Sequence, residues 1–173
     1  MDVVFQRFLE NTASDAVDLQ RTSDVVTLQA LPPQPASRYV CEFRVPYLRR
    51  LPAGTVVLDP GPVACSIRFP CDYLRSGDTR LYIRVAAVLS PDFIHPNVLH
   101  GVVCLGAAFA PGTPLRGLLW QLWEVITYQN CTVDERNAMN GEACRLVRAY
   151  PHLIASLERP RLFRPRQRLG AER

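Results

Sequence analysis

The chain contains no lysine: all 20 residues counted as Lys+Arg are arginine. A GC-rich genome favours Arg, Ala, Gly and Pro over Lys, and the wealth of Pro and Ala here agrees, so base composition is weighed as the larger cause. No apolar run approaches the length of a membrane span, which predicts no spanning helix. The start Met1-Asp2-Val3-Val4 lacks the positive charge of a signal peptide, so a cytoplasmic location is expected. There is no Cys-x-x-Cys pair, and His95, His100 and His152 do not combine with the cysteines into a zinc pattern, so no metal is expected. The cysteines at 41, 65, 71, 104, 131 and 144 lack the clustering of a disulfide scaffold and are read as reduced thiols.

The 173 residues are ordinary globular material, 48% hydrophobic and 21% charged. A chain of this length buries about two thirds of its unfolded surface, enough for one compact domain with short tails. Much of the net charge of +4 sits in the C-terminal run from Arg159 to Arg173. Such a run is read as a solvated tail in preference to a nucleic-acid or acidic-protein contact.

Periodicity places the elements. Val4, Phe5, Phe8, Leu9, Ala13, Ala16 and Val17 recur at helical spacing, predicting an amphipathic N-terminal helix. Val25–Leu28, Tyr39–Val45, Val56–Leu58, Val63–Phe69 and Leu81–Val85 are β-rich and bounded by turn residues, predicting an antiparallel meander of about four strands. Pro32-Pro33-Gln34-Pro35 and Asp59-Pro60-Gly61-Pro62 are turns or bulges, because proline has no place in a central ladder. Thr113 is the expected cap of a helix opened by Pro114, with Leu115, Leu118, Leu119, Leu122 and Ile126 as its apolar stripe and Trp120 and Trp123 as flanking core residues. Asn140 is expected to cap a further helix to about Tyr150, and Pro151 to start a last one through Leu157. The order is α+β.

The chemistry concentrates in His95-Pro96-Asn97-Val98-Leu99-His100-Gly101-Val102-Val103-Cys104-Leu105. Pro96 biases His95 toward extended backbone, and Gly101 supplies the freedom for a tight turn before Cys104. Cysteine is the most nucleophilic neutral side chain at physiological pH, although an unperturbed thiol with pKa about 8.5 is mostly protonated there. Asn cannot act as a base; Asn97 can donate to an oxyanion or brace its loop, and both roles stay open. A buried structural thiol is the alternative for Cys104. His95 or His100 could make a Cys-His hydrolase dyad, a surface position being the default for His100.

His95-Pro96-Asn97 followed by Gly101 and Cys104-Leu105 resembles the active-site signature of ubiquitin-conjugating enzymes. Ile67-Arg68-Phe69-Pro70-Cys71-Asp72-Tyr73 is similar to the family's strand ending in Phe-Pro-x-x-Tyr, and Asn137, Asn140 and Gly141-Glu142-Ala143 are similar to the start of a late family helix. The likeness spans roughly residues 39 to 157. Departures are visible: Leu74-Arg75-Ser76-Gly77-Asp78 replaces two prolines, the link from His95 to Cys104 is one residue shorter, and Phe109 is the nearest substitute for a missing tryptophan. These resemble the divergent conjugating enzymes of bacterial operons, for which defence against phage is the implied setting.

The resemblance implies a UBC-like fold: an N-terminal helix, a four-stranded antiparallel meander, an active-site loop, then C-terminal helices. It divides the chain into a conjugating domain over 1–158 and an Arg-rich tail over 159–173. It implies that an activating enzyme passes a ubiquitin-like modifier to Cys104 as a thioester, and that the acyl group then moves to a target lysine. ATP is used by the activating enzyme, so no cofactor is expected on this chain. Asn97 would hold the oxyanion or its loop, and His95, Pro96 and Gly101 would shape that loop. Asp134, in the stretch after the post-cysteine helix, would assist the amine, with helix capping or simple solvation as its alternative and Tyr128 and Asn130 as weaker candidates. A chain carrying an activated thioester would also gain from offering it no lysine. The rival readings are a catalytically silent module of the same fold that binds a ubiquitin-like protein, and the cysteine hydrolase.

Overall fold

The computed structural model describes residues 2–75, 83–106 and 109–164. Helix α1 (Val3–Thr22) begins where Asp2 accepts the Val4 N–H on its side chain at 3.0 Å, the usual work of an N-cap carboxylate. It buries Phe5, Leu9, Thr12, Ala16 and Leu19, a single helical stripe. Val4 and Val17, placed in that stripe by spacing, face solvent instead.

Strands β1 (Val26–Leu31), β2 (Arg38–Phe43), β5 (Val63–Arg68) and β6 (Ala86–Val88) pair antiparallel in that spatial order. Tyr39, Cys41 and Phe43 on β2 and Val63, Cys65 and Ile67 on β5 alternate inward to the core, the period-two pattern of a half-buried sheet. The expected four-stranded meander needs correction on two counts. A short hairpin, β7 (Val98–Leu99) and β8 (Val102–Val103), extends the sheet to six strands in the order β1-β2-β5-β6-β8-β7. Strands β3 (Tyr47–Arg50) and β4 (Val56–Asp59) form a separate pair. The Asp59-Pro60-Gly61-Pro62 bend explains the separation: neither proline can donate to a ladder, and Gly61, at φ +94°, lies where a Cβ would stand 2.5 Å from the Val45 carbonyl oxygen. The expected strand over residues 81–85 lies partly outside the described residues, as does most of the 74–78 loop; Val85 immediately precedes β6.

Helix α2 (Leu115–Ile126) carries the main stripe, with Leu115, Leu118, Leu119, Leu122, Val125 and Ile126 all fully buried. Burial of each such leucine contributes about 1.5–3 kcal/mol before entropy is counted. Its start differs from expectation: Pro114 is the cap residue, and Thr113 donates its hydroxyl to the Ala110 carbonyl oxygen. Trp123 is buried, but Trp120 is 46% exposed and donates its indole N–H to Glu124 one turn on. Helix α3 (Gly141–Ala149) is capped by Asn140, which accepts the Ala143 N–H at 3.0 Å, and α4 (Pro151–Ala155) starts at its proline.

The Arg-rich run, expected to be solvated, docks as far as Arg164. Leu162 and Phe163 are buried, Ser23 donates its hydroxyl to the Leu162 carbonyl oxygen, and Arg164 N–H donates to Thr22 at 2.7 Å. Among the described residues two hydrophobic clusters result: a large one between sheet, α1 and α2, and a smaller one joining Leu48 and Val56 to Ile94, Tyr128, Ala143 and Val147. Among the described residues no helix is long and apolar enough to cross a membrane.

Candidate active site

Three hydrogen bonds within the segment from His95 to Cys104, and two from Asn140, shape it. The His95 Nδ1 accepts the Asn97 N–H at 3.0 Å, the His95 carbonyl oxygen accepts the Val98 N–H at 3.0 Å, and the Asn97 carbonyl oxygen accepts the Cys104 N–H at 2.8 Å. Asn140 then braces the bend from α3, donating its N–H to Pro96 at 3.0 Å and its side-chain amide to Val98 at 3.1 Å. That second duty of the α3 cap was not visible in the sequence, where Asn140 reads only as a helix start.

Between Asn97 and Cys104 lies the β7–β8 hairpin, whose Leu99↔Val102 pairing leaves His100 and Gly101 as a two-residue turn. Both are in the left-handed region, at φ 50° and 80°, which is what a type I′ hairpin turn demands. The shortened link is therefore a minimal hairpin. Gly101 is required there twice over: its φ favours glycine, and a Cβ would stand 2.8 Å from the Val88 carbonyl oxygen. The turn is pinned to β6 by Val88 N–H donating to Gly101 at 2.7 Å.

His95 is fully buried, its ring 4.5 Å from that of Tyr128 and 6.3 Å from that of Phe93. Burial drives its pKa down to about 3, so it is neutral. Because Nδ1 accepts, the proton sits on Nε2, which meets no polar partner among the described residues. The lone pair a general base would use is thus taken up inside the loop. His100 is exposed at the turn.

Cys104 is half-buried, directly after β8. Cys41 and Cys65 lie opposite one another in the core, Cys144 is buried on α3, and Cys131 is half-buried with its thiol pushed up to about 11 by burial and by Cys144. Cys71 is exposed, without a comparable setting. Asn97 donates its side-chain amide to the Asn130 carbonyl oxygen at 3.3 Å, tying the cysteine hairpin to the segment that follows α2.

Asp134 is not tied to that hairpin by any hydrogen bond among the described residues. It is exposed in a turn, where Oδ1 accepts the Arg136 N–H at 3.0 Å and Oδ2 the Asn137 side-chain amide at 2.7 Å. The turn is fastened to α3: Arg148 reaches the Val133 carbonyl oxygen, and Arg145 and Arg148 both hold Glu135, whose carboxyl they keep below the usual range. Tyr128 is unavailable to an incoming amine, since its buried hydroxyl donates to the Ile94 carbonyl oxygen. A groove of about 790 Å³ starts at Leu105 and Asn130 and runs along α2 past Trp120 to Phe163 and Arg164. No group of three or more metal-ligating side chains occurs among the described residues.

Together the helix, the antiparallel sheet and the later helices have the architecture of a ubiquitin-conjugating (UBC-like) fold. The chain is similar in structure to the E2 domain of a Toxoplasma gondii ubiquitin conjugating enzyme, with a TM-score of 0.54 and 16% sequence identity, over 84% of this chain and 91% of that one. No family model matches the sequence. No curated protein matches it either.

Proposed function

We propose that the chain is a conjugating enzyme that accepts a ubiquitin-like protein on Cys104 from an activating enzyme and passes it to a lysine of a target. The observation that carries this reading is the clasp of Cys104 onto Asn97, with the Asn97 amide held by Asn130, at the hairpin of a UBC-like fold. In the first step the Cys104 thiolate attacks the thioester carbonyl on the activating enzyme, whose own thiolate leaves. In the second a neutral lysine amine attacks the Cys104 thioester, the Cys104 thiolate leaves, and the amine proton passes to solvent or a carboxylate. A free lysine amine has a pKa of about 10.4, so an acceptor for that proton matters at neutral pH. Asp134 is exposed on the post-α2 segment and fits that part. In the resting arrangement Asn97 braces the loop, and its amide serves an oxyanion by turning from Asn130. ATP is consumed by the activating enzyme.

Intact mass spectrometry after incubation with ubiquitin-like proteins, their activating enzymes and ATP tests this. A thiol-labile adduct that disappears in Cys104→Ala supports conjugation; its absence with every modifier overturns it in favour of a binding module. Histidine variants at 95 and 100 that still become charged exclude the hydrolase dyad.

A further inference from the structure

Tyr128 has a backbone conformation its side chain does not favour. It sits just after the Thr127 cap of α2 at φ 56°, a place where helices commonly put glycine or asparagine because a Cβ is disfavoured there. Stopping the helix requires no tyrosine. What the residue adds lies in its side chain: the hydroxyl donates to the Ile94 carbonyl oxygen, and the ring lies 4.5 Å from that of His95, tilted by 59°. The backbone reversal has its own product. Gln129 and Asn130 both direct their N–H groups back to the Glu124 carbonyl oxygen, at 2.8 and 3.0 Å, which presents the Asn130 carbonyl oxygen to the Asn97 amide.

The surroundings make this contact a joint. Ile94 and Tyr128 belong to the smaller hydrophobic cluster, whereas Val98, Val103, Leu105 and Ile126 belong to the larger one. The segment carrying Asn97 therefore crosses a seam between two cores, and Tyr128 grips it on one side of that seam. Backbone strain retained beside a site is sensible when the surrounding structure over-determines it.

We propose that Tyr128 is a positioning residue for the chemistry at Cys104: its hydroxyl and ring fix the post-α2 segment to the His95 loop, so that Asn130 meets Asn97 and Asn97 is held beside the cysteine. The inference rests on the conjugating-enzyme reading for its kinetic consequence, but its geometric part is independent. Tyr128→Phe keeps the ring and deletes the donor to Ile94. Tyr128→Asn suits the left-handed backbone and deletes both.

The test uses the full chain and free L-lysine as acceptor. The ratio of Cys104 discharge rate to charging rate falls about tenfold in Tyr128→Phe and further in Tyr128→Asn, in keeping with the sensitivity of rates to small misplacements. Because Tyr128 acts through Asn97, adding Tyr128→Phe to Asn97→Ala lowers the ratio no further. In the uncharged protein the Asn97 side-chain amide resonances shift and their hydrogens exchange faster in both variants, while thermal midpoints show that each is folded. Unmoved Asn97 amide signals, or an additive double variant, overturn the proposal. A wild-type chain that is never charged overturns the conjugating reading alone, and the amide signals then decide the positioning role.

Discussion

His95 shows how one buried residue fixes a loop's protonation. Its folded pKa of about 3 lies below the ordinary value of 6.5, so the unfolded chain binds the proton more readily. The stability it contributes is complete above about pH 6.5 and is lost as pH falls toward 3. Protonation would also place a hydrogen on Nδ1 facing the Asn97 N–H, donor against donor. By linkage the loss attributable to this group between pH 7 and pH 5 is about 2 kcal/mol. Urea unfolding midpoints at the two pH values measure it. His95→Gln should be less stable at pH 7 yet show a smaller drop to pH 5; an undiminished drop would assign the effect to other groups.

At the scale of elements, the β7–β8 hairpin decides where the cysteine stands. Gly54 and Gly101 have nearly the same φ, 84° and 80°, but nothing lies within 4 Å of a Cβ built on Gly54, while one on Gly101 meets the Val88 carbonyl oxygen. Gly54→Ala should therefore cost only the backbone term, about 1–2 kcal/mol. Gly101→Ala should cost clearly more, because the carbonyl it strikes is held in β6. His100→Asn, a better occupant of this turn, should stabilise by about 0.5 kcal/mol. Equal losses at the two glycines, read from denaturant midpoints, would refute the steric account. Helices α2, α3 and α4 could be placed from the sequence because leucine spacing, Asn140 and Pro151 are local signals. The separation of β3 and β4 could not, since it depends on a bend touching Val45. The outward turn of Trp120 could be, although both tryptophans read as core residues: at helical spacing Trp120 lies further round from the leucine stripe than Trp123. Within the site, the motif from His95 to Cys104 was legible as residues, but the partners that hold it, Tyr128, Asn130 and Asn140, come from segments distant in the chain.

Over the whole molecule, the absence of lysine and the docked C-terminal run bear on one another. Arg159 donates to the Thr127 carbonyl oxygen, Arg164 pairs with Asp24, and the Arg116 guanidinium lies 4.5 Å over the Phe163 ring. Stacking and forked hydrogen bonding are geometries that arginine performs and lysine does poorly. That supplies a structural reason for arginine at these positions, beside base composition and avoidance of self-modification. The three explanations separate in a set of Arg→Lys replacements at Arg116 and Arg161, which line the groove starting at Leu105, and at Arg136, next to the Asp134 turn. If avoidance operates, at least one variant acquires an adduct that survives thiol treatment, whereas the lysine-free chain yields only the thiol-labile form. If arginine geometry governs, Arg116→Lys is less stable by about 0.5 kcal/mol, a part of the worth of a cation–π contact, since lysine keeps the charge but loses the planar stack on Phe163, and none self-modifies. Base composition alone predicts three variants indistinguishable from the parent in both intact mass and unfolding midpoint.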